Sequence, residues 1–384
     1  MPWTWSSLTN GSIKMDPFQI AFFGATNSGK STLVNALSGQ DVSLVSAVPG
    51  TTTDPVRKRM ELPGIGACVL VDTAGYGDEG ELGAQRERLT RAVIDGTDVA
   101  VLLKSGHPAD VAWEALLRQA GVPVVSVERG AVQAAGSGAS SVMPGADRAS
   151  LLERIAAALP DEEHKYLTGK LVQPGDTVLL VMPQDSEAPK GRLILPQVQV
   201  LRELLDRGCV PHCCTPESLP AALAGLKSAP ALVITDSQVF KLVNDSIPRE
   251  VPLTSFSVLL AAAKGDLRVF VDGARAIDTL REGQTVLIAE ACTHVPDTED
   301  IGRVKIPALL QRKVGRLNIV IAAGNDFPED LSPYSLIIHC GACVATATLV
   351  RARIRKALLA GVPITNYGIA LAHLQGILSR IVLP

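Results

Sequence analysis

The chain reads as three successive stretches in which short apolar runs alternate with helical spacing. In the first, "FQIAFFG", "ACVLVDTAG", "DVAVLL" and "VPVVSV" have the length and apolarity of strands. "KSTLVNALSG", "AWEALLRQA" and "LLERIAAAL" carry apolar residues at helical spacing, and the first of these ends at a glycine, a helix stop. This alternation predicts a parallel sheet covered on both faces. "GAVQAAGSGASSVMPGAD" is small and flexible in composition and reads as a long loop. The second stretch offers a strand–helix–strand series in "DTVLLVMP", "LPQVQVLRELLDRG" and "ALVITD". The third offers strands at "LRVFVD", "QTVLIAE", "LNIVIAAG" and "YSLIIH", with helices at "ATLVRARIRKALLAG" and "IALAHLQGIL". No short-period repeat of the solenoid kind is present. The expected class is α/β, with a flexible tail at 1–16 and three α/β domains at 17–165, 166–263 and 264–384, the later two being smaller parallel-sheet domains.

Composition sets limits on this picture. The 384 residues are 47% hydrophobic and 20% charged, an ordinary globular balance. A net charge of -3 offers no nucleic-acid or anionic-membrane surface. No apolar run approaches the ~18–20 residues of a membrane span. Residues 1–16 lack the basic start and apolar stretch of a signal peptide, so the expected location is the cytoplasm. The 7 cysteines are odd in number, which in such a chain argues against a disulfide framework. Metal binding, catalysis and burial remain for them.

"GATNSGKS", residues 24–31, fits G-x-x-x-x-G-K-[ST] between a predicted strand and a predicted helix. In that context Gly24, Asn27, Ser28, Gly29 and Thr32 form a phosphate cradle at a helix N-terminus. Lys30 supplies charge to the β- and γ-phosphates and Ser31 ligates Mg²⁺. "VDTAG" has the D-x-x-G form that sets Asp72 near Mg²⁺ and the Gly75 N–H near the γ-phosphate. In "PGTTTDP" between them, Thr52 is the favoured Mg²⁺ ligand, with Thr51 and Thr53 as alternates. Lys30, Thr52, Asp72 and Gly75 form the expected catalytic set.

"GATNSGKS", "PGTTTD" and "DTAG" together resemble the TrmE/Era-like group of tRNA-modifying and ribosome-assembly G proteins. The resemblance implies a Ras-like P-loop GTPase domain that binds GTP, and a potassium ion held with the help of Asn27. Tyr76 stands where Ras-like proteins carry a water-orienting glutamine. The expectation is slow, potassium-stimulated hydrolysis, with the cation in place of an arginine finger. The guanine-reading N-K-x-D is replaced by "ERGA" at residues 128–131, so guanine selectivity rests on the resemblance and relaxed selectivity is expected.

The remaining chemistry is sulfur and imidazole. Cys292-x-His294 and His339-Cys340-x-x-Cys343 both end predicted strands, where ligand sites of open α/β sheets gather. Cys340 and Cys343 lead into a predicted helix N-terminus. A structural zinc site, an iron–sulfur cluster with one open iron, and simple burial all fit this pattern. The run "DTAGYGDEGELG", the C-x-H and H-C-x-x-C pairs and "GVPITNYGIALAHLQGIL" resemble the HydF family of FeFe-hydrogenase maturation GTPases. The likeness runs from Phe18 to the C-terminus.

The resemblance implies that Cys292, Cys340 and Cys343 hold a 4Fe–4S cluster, with His294 or His339 as fourth ligand or as hydrogen-bonding support. It implies a G domain, a dimerisation domain and a cluster domain, and a homodimer. The family role is a scaffold that receives the di-iron H-cluster precursor made by two radical-SAM maturases (HydE and HydG). The scaffold delivers this precursor to the apo FeFe-hydrogenase. Nucleic acid and membrane are not expected partners. A regulatory GTPase with structural zinc is the alternative. An RNA-modifying GTPase is disfavoured by the near-neutral charge and by the lack of a basic, aromatic-laced domain. Cys209, Cys213 and Cys214 beside His212 read as loop or interface packing, Cys68 as core, and "RARIRK" as a solvated helix face.

Overall fold

The computed structural model describes residues 17–38, 55–78, 80–128, 145–160, 166–184, 193–291, 300–324, 326–343 and 345–384. The chain divides into two compact units, Met1–Glu163 and His164–Pro384. In the first unit the strands are β1 Phe18–Gly24, β2 Val56–Leu62, β3 Gly66–Asp72, β4 Val99–Lys104 and β5 Val124–Glu128. The helices are α1 Lys30–Ser38, α2 Gly80–Ile94, α3 Ala109–Gln119 and α4 Gly145–Ala158. The sheet order is β2-β3-β1-β4-β5. All pairs are parallel except β2 with β3. One face buries Ile20, Phe22, Leu70 and Val101 against Leu33, Leu37 and Ile155, and the other buries Ala21, Phe23, Val71 and Leu102 against Val93, Trp113 and Leu117. Burial on both faces is why these strands read as unbroken apolar runs. β2, "VRKRMEL", carries no such run because it is a charged edge strand, which also discourages pairing with another chain.

The second unit holds two four-stranded parallel sheets. The first is built from β6 Thr177–Val181, β7 Val210–Cys214, β8 Leu232–Thr235 and β9 Leu253–Ser255, in the order β7-β6-β8-β9. Its helices are α5 Leu195–Asp206, α6 Leu219–Gly225, α7 Phe240–Ser246 and α8 Phe256–Lys264. After α9 Leu267–Arg275 the second sheet follows, from β10 Thr285–Ala289, β11 Asn318–Ala322, β12 Leu336–His339 and β13 Ile364–Asn366, in the order β11-β10-β12-β13. Its helices are α10 Ile306–Val314, α11 Ala347–Leu359 and α12 Tyr367–Leu374. The two sheets repeat one topology. "VPLTSF" and "VPITNY" occupy the same place in each, and Ser255 and Asn366 cap the helices that follow by accepting the N–H of Val258 (3.2 Å) and Gly368 (2.9 Å). Leu179, Val233 and Leu253 of the first sheet and Leu287, Ile337 and Ile364 of the second share one continuous core, which runs across the boundary expected at 263/264.

One expected strand is a helix. "LRVFVD" has the apolar, β-branched look of a strand, yet it lies in α9. Asp266 accepts the N–H groups of Arg268 (2.9 Å) and Val269 (3.2 Å), capping the turn, and Phe270, Gly273 and Ala274 are buried at helical spacing. Cap and packing outweigh a weak strand propensity. β7 lies in "RGCVPHCCTP", which reads as a loop, because as an edge strand it is largely exposed and lacks an apolar run.

α9 lies against β13 through Gly273, where a Cβ would overlap the Ile364 carbonyl. Gly273→Ala is therefore expected to cost about 1–3 kcal/mol or more by forcing the helix away. Gly225→Ala, with open space around it, is expected to be near neutral. Thermal unfolding followed by circular dichroism checks both, and an unshifted transition in Gly273→Ala would show that α9 is not in contact with that backbone.

Candidate nucleotide and cysteine sites

The turn after β1 passes through Asn27, whose φ of 58° bends the chain into the first turn of α1. Lys30 begins that helix and is buried. Its Nζ donates to the carbonyls of Gly24 (3.1 Å) and Ala25 (2.8 Å). Ser31 donates to Asp72 Oδ2 at 2.5 Å, joining the helix start to the end of β3. The other carboxylate oxygen, Asp72 Oδ1, and Ser28 Oγ are buried with no hydrogen-bond partner among the described residues. Two orphaned oxygens beside a lysine suit a metal–phosphate ligand. Burial pushes Lys30 down to about 8, against the opposing pull of Asp72 and Asp78, and burial pushes Asp72 up, against Ser31 and Lys30. Gly75 is packed so closely that a Cβ there would meet Lys30 Nζ. The structure thus gathers Gly24, Asn27, Ser28, Gly29, Lys30, Ser31, Thr32, Asp72 and Gly75 around one loop. Thr51, Thr52 and Thr53 lie outside the described residues.

Tyr76 is anchored. Its ring stacks on Trp113 with centroids 4.8 Å apart, and its hydroxyl donates to Asp110 Oδ1 at 2.8 Å. Asp110 Oδ2 in turn accepts from the N–H groups of Ser105, Gly106 and His107. Burial first, and then Asp110, raises the phenol far above its ordinary range, so it stays a donor. The Tyr76 carbonyl accepts the Thr26 N–H at 2.9 Å, tying the D-x-x-G loop to the phosphate loop. A side chain held this way is not placed to orient water. Asp78 pairs with Arg86 at 2.5 Å, and Glu128 ends β5 exposed, the rest of "ERGA" lying outside the described residues.

In the second unit, β10 and β12 pair so that Ala289 lies opposite His339, which sets both strand ends side by side. Cys340 follows β12, and its sulfur accepts the N–H groups of Ala291 (3.1 Å) and Ala342 (3.4 Å). Donors aimed at sulfur suit an anionic, metal-bound thiolate. Ala342 reaches its place with φ of 50°, left-handed for a residue other than glycine. Cys340 and Cys343 are both half-buried, and Cys292 and His294 lie outside the described residues. α11 opens just beyond, capped by Thr346, which accepts the Leu349 N–H at 3.3 Å.

His339 is buried with both ring nitrogens engaged. Nδ1 donates to the Cys340 carbonyl (2.8 Å) and Nε2 accepts from Arg353 Nη1 (3.0 Å). Burial, then the Arg353 charge, holds its pKa down to about 3. No ring lone pair is free for a metal, so of the two expected roles only hydrogen-bonding support fits this geometry. Arg353 also donates to the carbonyls of Glu290 (3.2 Å) and Gly324 (2.5 Å) and lies over the Phe327 ring. This corrects the reading of "RARIRK" as wholly solvated: Arg351 and Arg355 are exposed, but Arg353 points inward. Its spacing with Val350, Ile354 and Ala357 on the buried face of α11 was the available signal. Glu290 meets Arg303 through both carboxylate oxygens (3.1 and 2.7 Å). Cys68 is core, and burial raises the thiols of Cys209, Cys213 and Cys214, which disfavours them as ligands.

Comparison with known proteins gives three family matches. Residues 19–128 match the 50S ribosome-binding GTPase model, 167–265 the hydrogen maturase F dimerization domain and 268–384 the hydrogen maturase F tetramerization domain. The tRNA modification GTPase MnmE of Methylobacterium radiotolerans is 49% identical over 87 residues, 22% of this chain and 20% of the relative. The protein of the same name from Methylobacterium sp. is 35% identical over 148 residues, 37% of this chain and 32% of the relative. The chain thus spans only a fifth to a third of the length of these curated relatives. A solved structure of an Aquifex aeolicus Era variant bound to GDP and aluminium fluoride is 17% identical, with a TM-score of 0.29, covering 55% of this chain and 98% of that one.

Proposed function

The chain belongs to the hydrogen maturase F family, and from that premise we propose that it is a GTP-hydrolysing scaffold for the di-iron precursor of the FeFe-hydrogenase H-cluster. The observation that carries the reading is the Cys340–Cys343 loop at paired strand ends, with two N–H groups aimed at the Cys340 sulfur. Cys340 and Cys343, joined by Cys292, are the residues to hold a 4Fe–4S cluster. When bound, such a cluster supplies an iron site open to a further ligand. His339 and Arg353 orient the loop from behind, which leaves His294 or an exchangeable group for the fourth position. The di-iron unit is cargo, received from the two radical-SAM maturases (HydE and HydG) and passed to the apo-hydrogenase.

The first unit is a GTPase domain. Lys30 meets the β- and γ-phosphates, while Gly24, Ser28, Gly29 and Thr32 cradle them at the start of α1. Ser31, Thr52 and Asp72 would hold Mg²⁺, a role supported by Asp72 Oδ1, which has no partner among the described residues, and the Gly75 N–H would serve the γ-phosphate. With Tyr76 locked against Trp113, Asn27 would help hold a potassium ion, which when bound would supply the charge that an arginine finger otherwise brings. The dimerization and tetramerization domains support self-association, for which the exposed edge strand β7 is a ready surface. Among the described residues no helix is long and apolar enough to cross a membrane; the cytoplasm is the location that the scaffold role implies.

Anaerobic reconstitution with iron and sulfide tests the scaffold reading. The expected result is about four irons per chain with a reducible cluster signal that Cys340→Ser loses. Zinc uptake without such a signal would replace the scaffold with a regulatory GTPase carrying a structural zinc site. Hydrolysis is expected to run severalfold faster in potassium than in sodium at equal ionic strength, and equal rates would remove the role of Asn27.

Lys30 gives a pH test. Free of nucleotide its pKa is about 8, and bound phosphates raise it. GTP affinity is therefore full below about 8 and falls as pH rises from there toward the bound-state value. Binding just above pH 8 should take up a proton, read as a binding enthalpy that varies with the ionisation enthalpy of the buffer. An enthalpy independent of buffer would rule out Lys30 as the group that titrates.

A further inference from the structure

α8 ends at Lys264, and the end of that side chain is buried in the second sheet's cysteine loop. Its Nζ donates to the carbonyls of Ala342 (2.8 Å), Ala345 (2.8 Å) and Cys343 (3.4 Å). One side chain thus grips the backbone on both sides of Cys343. The same stretch contains Ala342 in its left-handed conformation, which is unfavourable for a residue other than glycine and persists only where surroundings impose it. That conformation is what turns the Ala342 N–H onto the Cys340 sulfur. Lys264 lies in the span matched by the dimerization domain, and the loop lies in the span matched by the tetramerization domain.

We propose that Lys264 is the positioning residue of the Cys340–Cys343 loop, through which the dimerization span holds the two sulfurs at the spacing a metal needs. The inference rests on the scaffold reading for what the loop binds, and on the hydrogen bonds alone for what Lys264 does. A primary amine suits the task, since its three N–H donors serve three carbonyls that no single backbone group could reach. Its position comes from a helix packed in the shared core, so movement of α8 is movement of the loop. It also sets a cation beside the site, favouring extra negative charge on a bound cluster.

Site-specific alkylation of the metal-free protein tests this. Iodoacetamide labelling of each cysteine is followed by peptide mass spectrometry in wild type and Lys264→Met. Exposed Cys213 serves as reference for reagent and buried Cys209 as reporter of general unfolding. The expected result is a rise of about tenfold at Cys343, the factor that 1.4 kcal/mol of lost local stability gives, with Cys209 and Cys213 unchanged. An unchanged rate at Cys343 would overturn the proposal, and so would a rise matched at Cys209, which marks loss of the fold. Should Lys264→Met not fold, Lys264→Gln is read by the same comparison. In the iron-loaded protein the variant cluster should have a more negative reduction potential than wild type. If wild type takes up no iron, the scaffold reading fails while the thiol comparison still decides the role of Lys264.

Discussion

Parallel strand pairing is the constraint from which both sites follow. Among the described strands only β2 runs against its neighbour, so in each sheet the other strands end along one edge. Register then decides what meets what. Pairing Phe22 with Asp72 brings the loop after β1 beside the carboxylate that ends β3. Pairing Ala289 with His339 brings Glu290 and Ala291 beside Cys340. Because helices cover both sheet faces, these strand ends are where polar groups can gather without breaking a core.

How much of this could be read from the chain depended on the range of the interaction. The phosphate loop was legible because its spacing encodes backbone geometry: glycines where N–H groups must approach a ligand, then a lysine and a hydroxyl at a helix start. The strand ends carrying Cys340 were legible from apolar runs alone. The roles of Tyr76, Lys264 and Arg353 were not. Tyr76 takes its function from Asp110 and Trp113 on α3, Lys264 from carbonyls beyond three intervening strands, and Arg353 from a histidine on β12. Nothing local distinguishes a lysine that ends an apolar helix in solvent from one that ends it inside a core. α9 failed for the opposite reason: its residues favour a strand locally, and the Asp266 cap with packing on β13 overrides them.

The repeated topology of the second unit shows how one frame was put to two uses. At corresponding strand ends, the first sheet places Thr235 and Ser255, and the second places His339 and Asn366. In the first, Thr235 donates to the Val181 carbonyl, an interaction closed upon the sheet. In the second, the His339 ring and Asn366 Nδ2 both turn to the Cys340 carbonyl. The capping positions keep their structural duty in both sheets, while the second gains a shell of donors around one cysteine.

A common device then holds the functional loops in each unit. Lys30, Lys264 and Arg353 are buried cations that donate to main-chain carbonyls at or near strand ends, Arg353 also to the His339 ring. Burying a charge is costly unless it is well satisfied, so these contacts are retained only if the backbone is already where they need it. A carbonyl's position is fixed by the sheet, whereas a carboxylate's depends on a rotamer. The cation is therefore located by the fold, and the loop by the cation. The Glu290–Arg303 pair works differently, matching two side chains oxygen for nitrogen and so neutralising both. The distinction separates an ion pair that braces the sheet from cations that can shape a site for phosphate or for metal-bound sulfur.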